Sequence, residues 1–444
     1  MDDFYIKLPD KIKLTLDKLH KAEFEAYIVG GCVRDTLLFK KPYDFDITTS
    51  ATPQEIKTVF KDYQQIDTGI KHGTVTVIIE KECIEITTFR IDGTYSDGRR
   101  PDDVIFTTNI NEDLSRRDFT INAVAATDKL LIDPFNGQED IKNNIIRCVG
   151  DPITRFKEDA LRILRGIRFA SVLNFEVEEK TKSAMFECKQ LLQNVSQERI
   201  TAEFCKTLLG INIKSTLTEF KDIVAYIIPE FKDTFGFKQH NPHHVYDVYA
   251  HSLMAVQSIE SDTVLRATML FHDIAKPSCF LLDKLKIGHF YGHPTLSADM
   301  TKIILQRMKF SKEDINIITE LIKYHDFKVE LTTKSVKKLL NNIGEIQFRR
   351  LLKVKRADNL AHNLLYIYEN LKYIDNVEQI LDNIIASNDY ITLQSLKIKG
   401  EDLIEMGIPK GPKIGVILNK LLEMVLNEEL ENNKDDLLEK AKTL

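Results

Sequence analysis

Residues 27–49 read YIVGGCVRDTLLFKKPYDFDITT, and this stretch decides the fold of the first third of the chain. An apolar run ends in Gly30-Gly31, a helix start with Arg34 and Asp35 follows, and a second strand carries Asp44 and Asp46 two residues apart. Side chains alternate faces along a strand, so the two carboxylates point the same way. A Gly-Gly turn lets backbone N–H groups approach phosphates closely. Two acids on one face beside such a turn imply metal-dependent transfer of nucleotidyl groups.

Working outward, 444 residues exceed one ordinary core, and two to four domains are expected. A formal net charge of -6 gives no whole-chain argument for nucleic-acid binding, so any basic surface is local. The six cysteines form no CxxC pair, which fits reduced thiols and excludes a zinc ribbon or disulfide scaffold. The N-terminus lacks a signal-peptide core, and no apolar run spans a bilayer. A soluble cytoplasmic enzyme without a membrane partner is expected. The sequence leaves monomer and homodimer open.

Four regions follow from the patterning. Residues 1–140 combine an amphipathic helix on Ile12, Leu16 and Leu19 with the β-rich runs AYIVGG, DFDITT, TVTVIIE and CIEITTF. Between Ile91 and Val104 lies DGTYSDGRRPDD, a mobile loop by composition, and LLIDPFNGQEDI predicts a strand followed by an Asn136-Gly137 turn. Residues 141–225 are helical: Ala160, Ile163, Leu164, Ile167 and Ala170 follow a helical stripe from which Asp159, Arg162 and Arg165 fall away. Residues 226–385 hold nine of the eleven histidines and are helical; residues 386–444 form a helical tail that contains the IPKGPK turn. The fold class is therefore α+β, a small head of mixed sheet and helices followed by all-α regions.

Phosphoryl transfer needs in-line geometry and charge neutralisation, which two Mg2+ ions bridged by carboxylates supply. Asp44 and Asp46 are the expected bridging ligands, and Glu85, on the polar face of CIEITTF, is the expected third acid. Asp159 and Arg162 read as i and i+3 on one helix, side by side. Cytosine and adenine both present an exocyclic amine beside a bare ring nitrogen. A carboxylate accepts from the amine and a guanidinium donates to the nitrogen, whereas uracil and guanine face like against like. Each such mismatch costs about 1–3 kcal/mol. Read by spacing alone, the same two residues also form an ordinary surface ion pair.

Four motifs in order, GGCVRD with YDFDITT, SRRDFTINAVA at 115–125, EDALRILRGIRFA at 158–170 and the C-terminal KGPKIGVIL, resemble those of the class II tRNA nucleotidyltransferase and poly(A) polymerase family. The resemblance implies a polymerase-β-like head, a helical neck with a base-reading helix, and a tail holding the tRNA acceptor stem and elbow. It implies addition or repair of the 3′-terminal CCA of tRNA from CTP and ATP, with A-only addition or poly(A) synthesis as alternatives within the family. The nucleotide site it implies comprises Gly30, Gly31, Arg34, Arg117, Asp118, Asn122, Asp159, Arg162, Arg165 and Arg168. Arg117 and Asp118 would meet the ribose; taken alone, Asp118 also reads as a helix cap and Asn122 as a structural contact. Arg155 joins the basic set on the neck, where triphosphate or RNA backbone is met. Glu198, Arg199 and Glu203 in QERITAEF read as structural. The family's loop matching 92–104 is shortened in enzymes that add only C, so its full length here implies addition of A.

His251, His272-Asp273 and Asp358 match the H…HD…D signature of HD phosphohydrolases, which some bacterial members carry. His293 and His325 fall where ligands to a second metal would lie. Imidazoles and carboxylates together suit a divalent transition metal that activates water. His240, His243, His244, His289 and His362 read as ordinary histidines. A reading from another class makes the chain an HD phosphodiesterase or phosphatase with a vestigial head.

Overall fold

The computed structural model describes residues 6–42, 44–67, 69–93, 103–387, 393, 395–427 and 429–444. The chain divides into two compact units, residues 1–229 and 230–444.

The first unit opens with α1 (Asp10–Lys21), whose apolar stripe of Ile12, Leu16 and Leu19 is buried as its spacing predicts. The strands are β1 (Ala26–Val29), β2 (Asp46–Thr49), β3 (Gln64–Ile66), β4 (Thr74–Ile79), β5 (Glu82–Thr88), the hairpin β6 (Arg90–Asp92) and β7 (Val104–Phe106), then β8 (Ala125–Ala126) and β9 (Leu131–Ile132). Seven of them form one sheet in the order β3-β4-β5-β2-β1-β8-β9. β2 and β5 run parallel and the other neighbours antiparallel, so the sheet is mixed. The loop at 92–104 connects β6 to β7; residues 94–102 lie outside the described residues.

Between the strands come α2 (Gly31–Leu37), α3 (Pro53–Val59) and α4 (Ile110–Ser115). α1 and α3 cover one face of the sheet, where Ile28, Ile47, Val75, Val77, Ile84 and Ile86 form the head core. The other face carries Asp46, Thr48, Glu85 and Thr87, with a small second core of Val29, Phe89, Ile110 and Leu114 beside them.

The helical part comprises α5 (Gly137–Lys142), α6 (Pro152–Glu158), α7 (Leu161–Leu173), α8 (Glu179–Cys188), α9 (Gln197–Leu208), α10 (Ile213–Glu219) and α11 (Lys221–Ile227). Two expectations are corrected here. Asn136-Gly137 does not make a hairpin turn: Asn136 takes the left-handed conformation (φ 59°) and opens α5. A Cβ on Gly137 would stand 2.3 Å from the Thr120 carbonyl oxygen, so close packing holds that glycine in place. We expect Gly137→Ala to destabilise this unit by about 1–3 kcal/mol, read from its thermal unfolding midpoint. The second correction concerns residue 140, which falls inside α5. Phe119 and Ile121 of the head share one apolar core with Phe156, Ile163, Ile167 and Met185 of the neck.

The second unit contains α12 (Val248–Ser258), α13 (Thr263–Phe271), α14 (His293–Arg307), α15 (Lys312–Tyr324), α16 (Thr333–Leu360, broken at Gly344), α17 (Leu364–Ala386), α18 (Gly400–Glu405), α19 (Pro412–Leu426) and α20 (Lys434–Ala441). α12 packs on α13 and α16, and α13 on α15, while α18 to α20 surround their own core of Leu403, Ile417, Leu421 and Leu437. No described helix is long and apolar enough to cross a membrane.

Candidate active site and metal centre

β1 runs into Gly30 (φ 79°), which caps α2, so the strand turns into the helix within one residue. Val29 pairs with Asp46 on the antiparallel neighbour β2, which brings the carboxylate strand beside the Gly30-Gly31 turn. In the parallel pairing of β2 with β5, Ile47 lies opposite Ile86, so Asp46 and Glu85 are level on the polar face. Asp44, Asp46 and Glu85 are all exposed. The Asp46 carboxyl is held above its ordinary range, chiefly by desolvation; Asp44 pushes the same way and Arg117 opposes. Asp46 and Glu85 are level on one face and Asp44 lies just ahead of β2, outside the strand it was expected to share with Asp46; carboxylates are the ligands a hard divalent cation takes.

The sequence reading passed over Asp113, which is fully buried. It takes hydrogen bonds from Arg116 (2.8 Å) and Thr48 Oγ1 (3.2 Å) and pairs with Arg117 at 3.5 Å. Burial alone would raise its pKa, but Arg116 and Arg117 outweigh it and hold the carboxyl below its usual range. Asp113 thus anchors Arg117 from behind; the spacing of an acid three and four residues before Arg116-Arg117 was the available signal. A Cβ on Gly30 would lie 3.2 Å from Arg117 Nη1, which places that guanidinium against the Gly-Gly turn.

Asp118 is buried and accepts from Arg165 Nε (2.7 Å), Asn122 Nδ2 (3.1 Å) and the Phe119 amide (2.8 Å). Asn122 Oδ1 accepts from Arg34 Nη1 at 2.7 Å, so Arg34, Asn122, Asp118 and Arg165 form one chain. Burial opposes ionisation of Asp118, but Arg165 and Asn122 outweigh it and its pKa falls to about 2 from an ordinary 3.8. A depressed carboxylate stabilises the fold above the unfolded pKa and ceases to do so as pH falls through the folded one. We expect about 2 kcal/mol of stability to be lost between about pH 4 and pH 2, with the Asp118→Asn variant lacking that slope in acid denaturation.

Asp159 and Arg162 are not on one helix. Asp159 is extended (φ -143°, ψ 103°) between α6 and α7, because its Oδ1 accepts the Leu161 amide (3.0 Å) at the start of α7. Aspartate favours such a junction over a helix interior. Its Oδ2 takes a hydrogen bond from Arg199 Nη2 at 2.7 Å, which gives Arg199 a direct part in placing Asp159. Arg162 is buried and donates to Glu158 (2.7 Å), the Arg155 carbonyl (3.3 Å) and the Arg116 carbonyl (3.0 Å). These bonds leave Nε–H and one Nη2–H, while Asp159 keeps a free lone pair on each oxygen. The other neck arginines are ion-paired, Arg155 to Glu158, Arg165 to Asp118 and Arg168 to Glu203. Arg34, Arg165 and Arg168 surround the Phe169 ring at 5.2, 5.5 and 4.3 Å from its centroid. We expect Arg199→Ala to raise KM for both nucleotides about 10- to 100-fold in steady-state kinetics, as one charge-assisted hydrogen bond is lost, with Arg199→Lys partly restoring it.

In the second unit, α12, α14 and α16 with the C-terminal ends of α13 and α15 bring the histidine signature to one point. His251 Nε2 lies 2.9 Å from Asp358 Oδ1 and 3.5 Å from Asp273 Oδ2; His272 Nε2 lies 3.3 Å from Asp358 Oδ1 and 3.2 Å from Asp273 Oδ2. His293 Nε2 and His325 Nε2 stand 3.3 and 3.7 Å from Asp273 Oδ1 and 3.3 Å from each other. The Nδ1 atoms of His251, His272, His293 and His325 each face a backbone carbonyl at 2.6–3.2 Å. A carbonyl only accepts, so we assign the proton of each ring to Nδ1, which turns four Nε2 lone pairs inward onto two carboxylates. His272 Nε2 and both oxygens of Asp273 are buried without a well-directed hydrogen bond among the described residues. This donor set fits divalent metal, with Asp273 serving both groups of imidazoles. In the absence of metal, burial opposes charge on His272, but Asp273 and Asp358 outweigh it and push its pKa up to about 10.

His244 and His362, expected to be ordinary, also belong here: their rings lie 5.1 and 5.3 Å from that of His251, and the three offer nitrogens within 4.8 Å of one another. Burial drops His244 to about 2, so it is neutral. His240, His243 and His289 stand outside these groups; His289 pairs with Asp283 at the surface. Lys276 Nζ, between Asp273 Oδ2 (2.6 Å) and Gln239 Oε1 (2.9 Å), was not expected. A cavity of about 320 Å3 opens onto the cluster.

Residues 26–147 match the family model described as Poly A polymerase head domain, and residues 174–234 that described as Probable RNA and SrmB- binding site of polymerase A. Residues 294–441 match tRNA nucleotidyltransferase domain 2, and no HD-domain model matches. The chain is 36% identical to the CCA-adding enzyme of Ligilactobacillus salivarius over 98% of both chains, and 35% identical to that of Enterococcus faecalis over 96% of this chain and 94% of the relative. The crystal structure of the Bacillus stearothermophilus CCA-adding enzyme in complex with CTP superposes with a TM-score of 0.70 at 27% identity, covering 99% of this chain and 98% of that one.

Proposed function

We infer the reaction from the premise that this chain belongs to the family of CCA-adding enzymes, the class II tRNA nucleotidyltransferases. It is a tRNA nucleotidyltransferase that uses CTP and ATP. The observation that carries the reading is the alignment of Asp46 with Val29 on one side and Glu85 on the other, directly beside the Gly30-Gly31 turn.

Asp44, Asp46 and Glu85 would hold Mg2+, which when bound supplies charge neutralisation at the triphosphate and lowers the pKa of the attacking hydroxyl. The 3′-hydroxyl of the tRNA gives its proton to solvent as its oxygen bonds to the α-phosphorus, the bond from that phosphorus to the bridging oxygen breaks, and pyrophosphate leaves. The Gly30-Gly31 backbone admits the phosphates, and Arg117, anchored by Asp113, adds positive charge beside them. Arg34, Asn122 and Asp118 form the sugar side, where Asp118, engaged by Asn122, the Phe119 amide and Arg165, holds Asn122 and Arg165 in place for the ribose. Asp159 accepts the exocyclic amine of cytosine or adenine and Arg162 donates to the ring nitrogen. Both are held from behind, by Arg199 and Glu158, so protein side chains select C and A without a template. The helical parts hold the tRNA by shape and backbone.

Tests with tRNA lacking CCA decide between the family's products. CTP with ATP is expected to restore CCA, CTP alone to stop at CC, and ATP alone to extend only tRNA already ending in CC. Failure to incorporate C would make the chain an A-adding enzyme, and long A tails on any RNA a poly(A) polymerase.

We also propose that the histidine cluster is a divalent-metal site with phosphohydrolase activity. Its support is the set of inward Nε2 atoms around Asp273 and Asp358.

A further inference from the structure

The segment that closes α2 is built against its own local preferences. Leu38 caps the helix, and the Lys40 amide bonds back to the Asp35 carbonyl (2.8 Å) while the Phe39 amide bonds to that of Thr36 (2.9 Å). This is the helix-ending motif in which the residue after the cap turns left-handed, a place that favours glycine or asparagine. Here it is Phe39, at φ 56°. The side chain gains nothing in return from the fold: it is 99% exposed. A large aromatic residue is thus strained in its backbone and open to water, and exposed Lys40 and Lys41 follow it.

An exposed ring flanked by cations suits a stacked base whose phosphates are held alongside. Position argues for the same occupant. Phe39 lies at the far end of α2, about 10 Å along the helix from the Gly30-Gly31 turn. That distance spans two to three stacked nucleotides at about 3.4 Å each. A groove of about 680 Å3 adjoins Phe39, with Leu37, Leu38 and Lys142 on its wall. Its two acids are turned to local use, Asp133 toward the Gly137 and Gln138 amides and Glu139 toward Asn143.

We propose that Phe39, Lys40 and Lys41 form a docking platform for the single-stranded 3′ end of the RNA acceptor, with a base stacked on Phe39. The proposal rests on the reading of the head as a nucleotidyltransferase acting on RNA. Because the chain has no tryptophan, Phe39→Trp creates a single reporter at this position. The full-length variant is titrated with an RNA hairpin bearing a 3′ overhang ending in two cytidines, and with CTP alone. RNA is expected to quench the fluorescence and CTP to leave it unchanged. Phe39→Ala is expected to raise KM for the RNA about 5- to 100-fold, with KM for the nucleotide and kcat at saturating RNA unchanged. Phe39→Gly is expected to show the same RNA defect together with a higher melting temperature, since glycine relieves the left-handed strain; a merely structural residue would not separate these readouts. RNA that binds by anisotropy without quenching, or an unchanged KM for RNA in Phe39→Ala, overturns the proposal. So does a wild-type dimer that Phe39→Ala dissociates, which would assign the ring to a second copy of the chain. If the wild type adds nothing to any RNA, the reading of the head fails instead, whatever Phe39 does.

Discussion

The double variant Asp44→Ala, Asp46→Ala is expected to abolish nucleotide addition, by at least about 10^3-fold in kcat, while leaving the melting temperature within a degree or two of wild type. Both side chains are exposed, and surface changes of this kind alter stability by about 0.5 kcal/mol or less. Their removal takes away the ligands that would hold Mg2+, whose charge would neutralise the triphosphate, an electrostatic contribution that cannot be replaced by positioning alone. Removing Glu85 alone is expected to have a smaller effect, since two acids remain. Addition that persists in the double variant would remove the carboxylate site from the mechanism. The same variant should retain any phosphoester hydrolysis by the second unit, which separates the two chemistries and tests the reading of the head as vestigial.

The second large effect is expected at Asp273. Elemental analysis of the purified chain is expected to find divalent transition metal. Asp273→Ala is expected to lose it, because this buried carboxylate faces His251 and His272 through one oxygen and His293 and His325 through the other. Chelation of the wild type should lower the unfolding temperature of the second unit, as buried Asp273 and partly buried Asp358 lose the metal's counter-charge. His272→Ala should lose metal and hydrolysis while CCA addition continues. Wild-type protein that binds no divalent metal at micromolar concentration would reduce the cluster to a hydrogen-bonded core. His362→Ala separates the outer imidazoles from the ligands proper: retained metal with slowed hydrolysis would place His244 and His362 beside the substrate.

These expectations draw unequally on sequence and structure. The Gly-Gly turn and strand alternation are local properties, so the turn and the strand from Asp46 onward were legible from residues 27–49, as was the α7 stripe from its spacing; Asp44, read onto the same strand, lies ahead of β2 (Asp46–Thr49), because the strand starts only where Asp46 pairs with Val29. The Asp159-Arg162 helix was misread because a stripe on one side of a junction cannot report a break; only the Asp159 carboxylate bound to the Leu161 amide makes it. Asn136-Gly137 was misread because a dipeptide that can turn a hairpin can equally open a helix when the chain ahead packs on Thr120.

What the sequence by itself determined is the chemistry available: a carboxylate pair beside a phosphate-sized turn, an acid and an arginine able to read an amine and a ring nitrogen, and an ordered set of imidazoles. Tertiary structure alone decided how each is held. Arg199 reaches Asp159 across forty positions, Asp113 meets Thr48 across sixty-five, and His362 joins His251 from the far end of α16. The reason is physical: periodicity encodes which face of an element is apolar, whereas a buried charge is placed by partners whose separation along the chain carries no period.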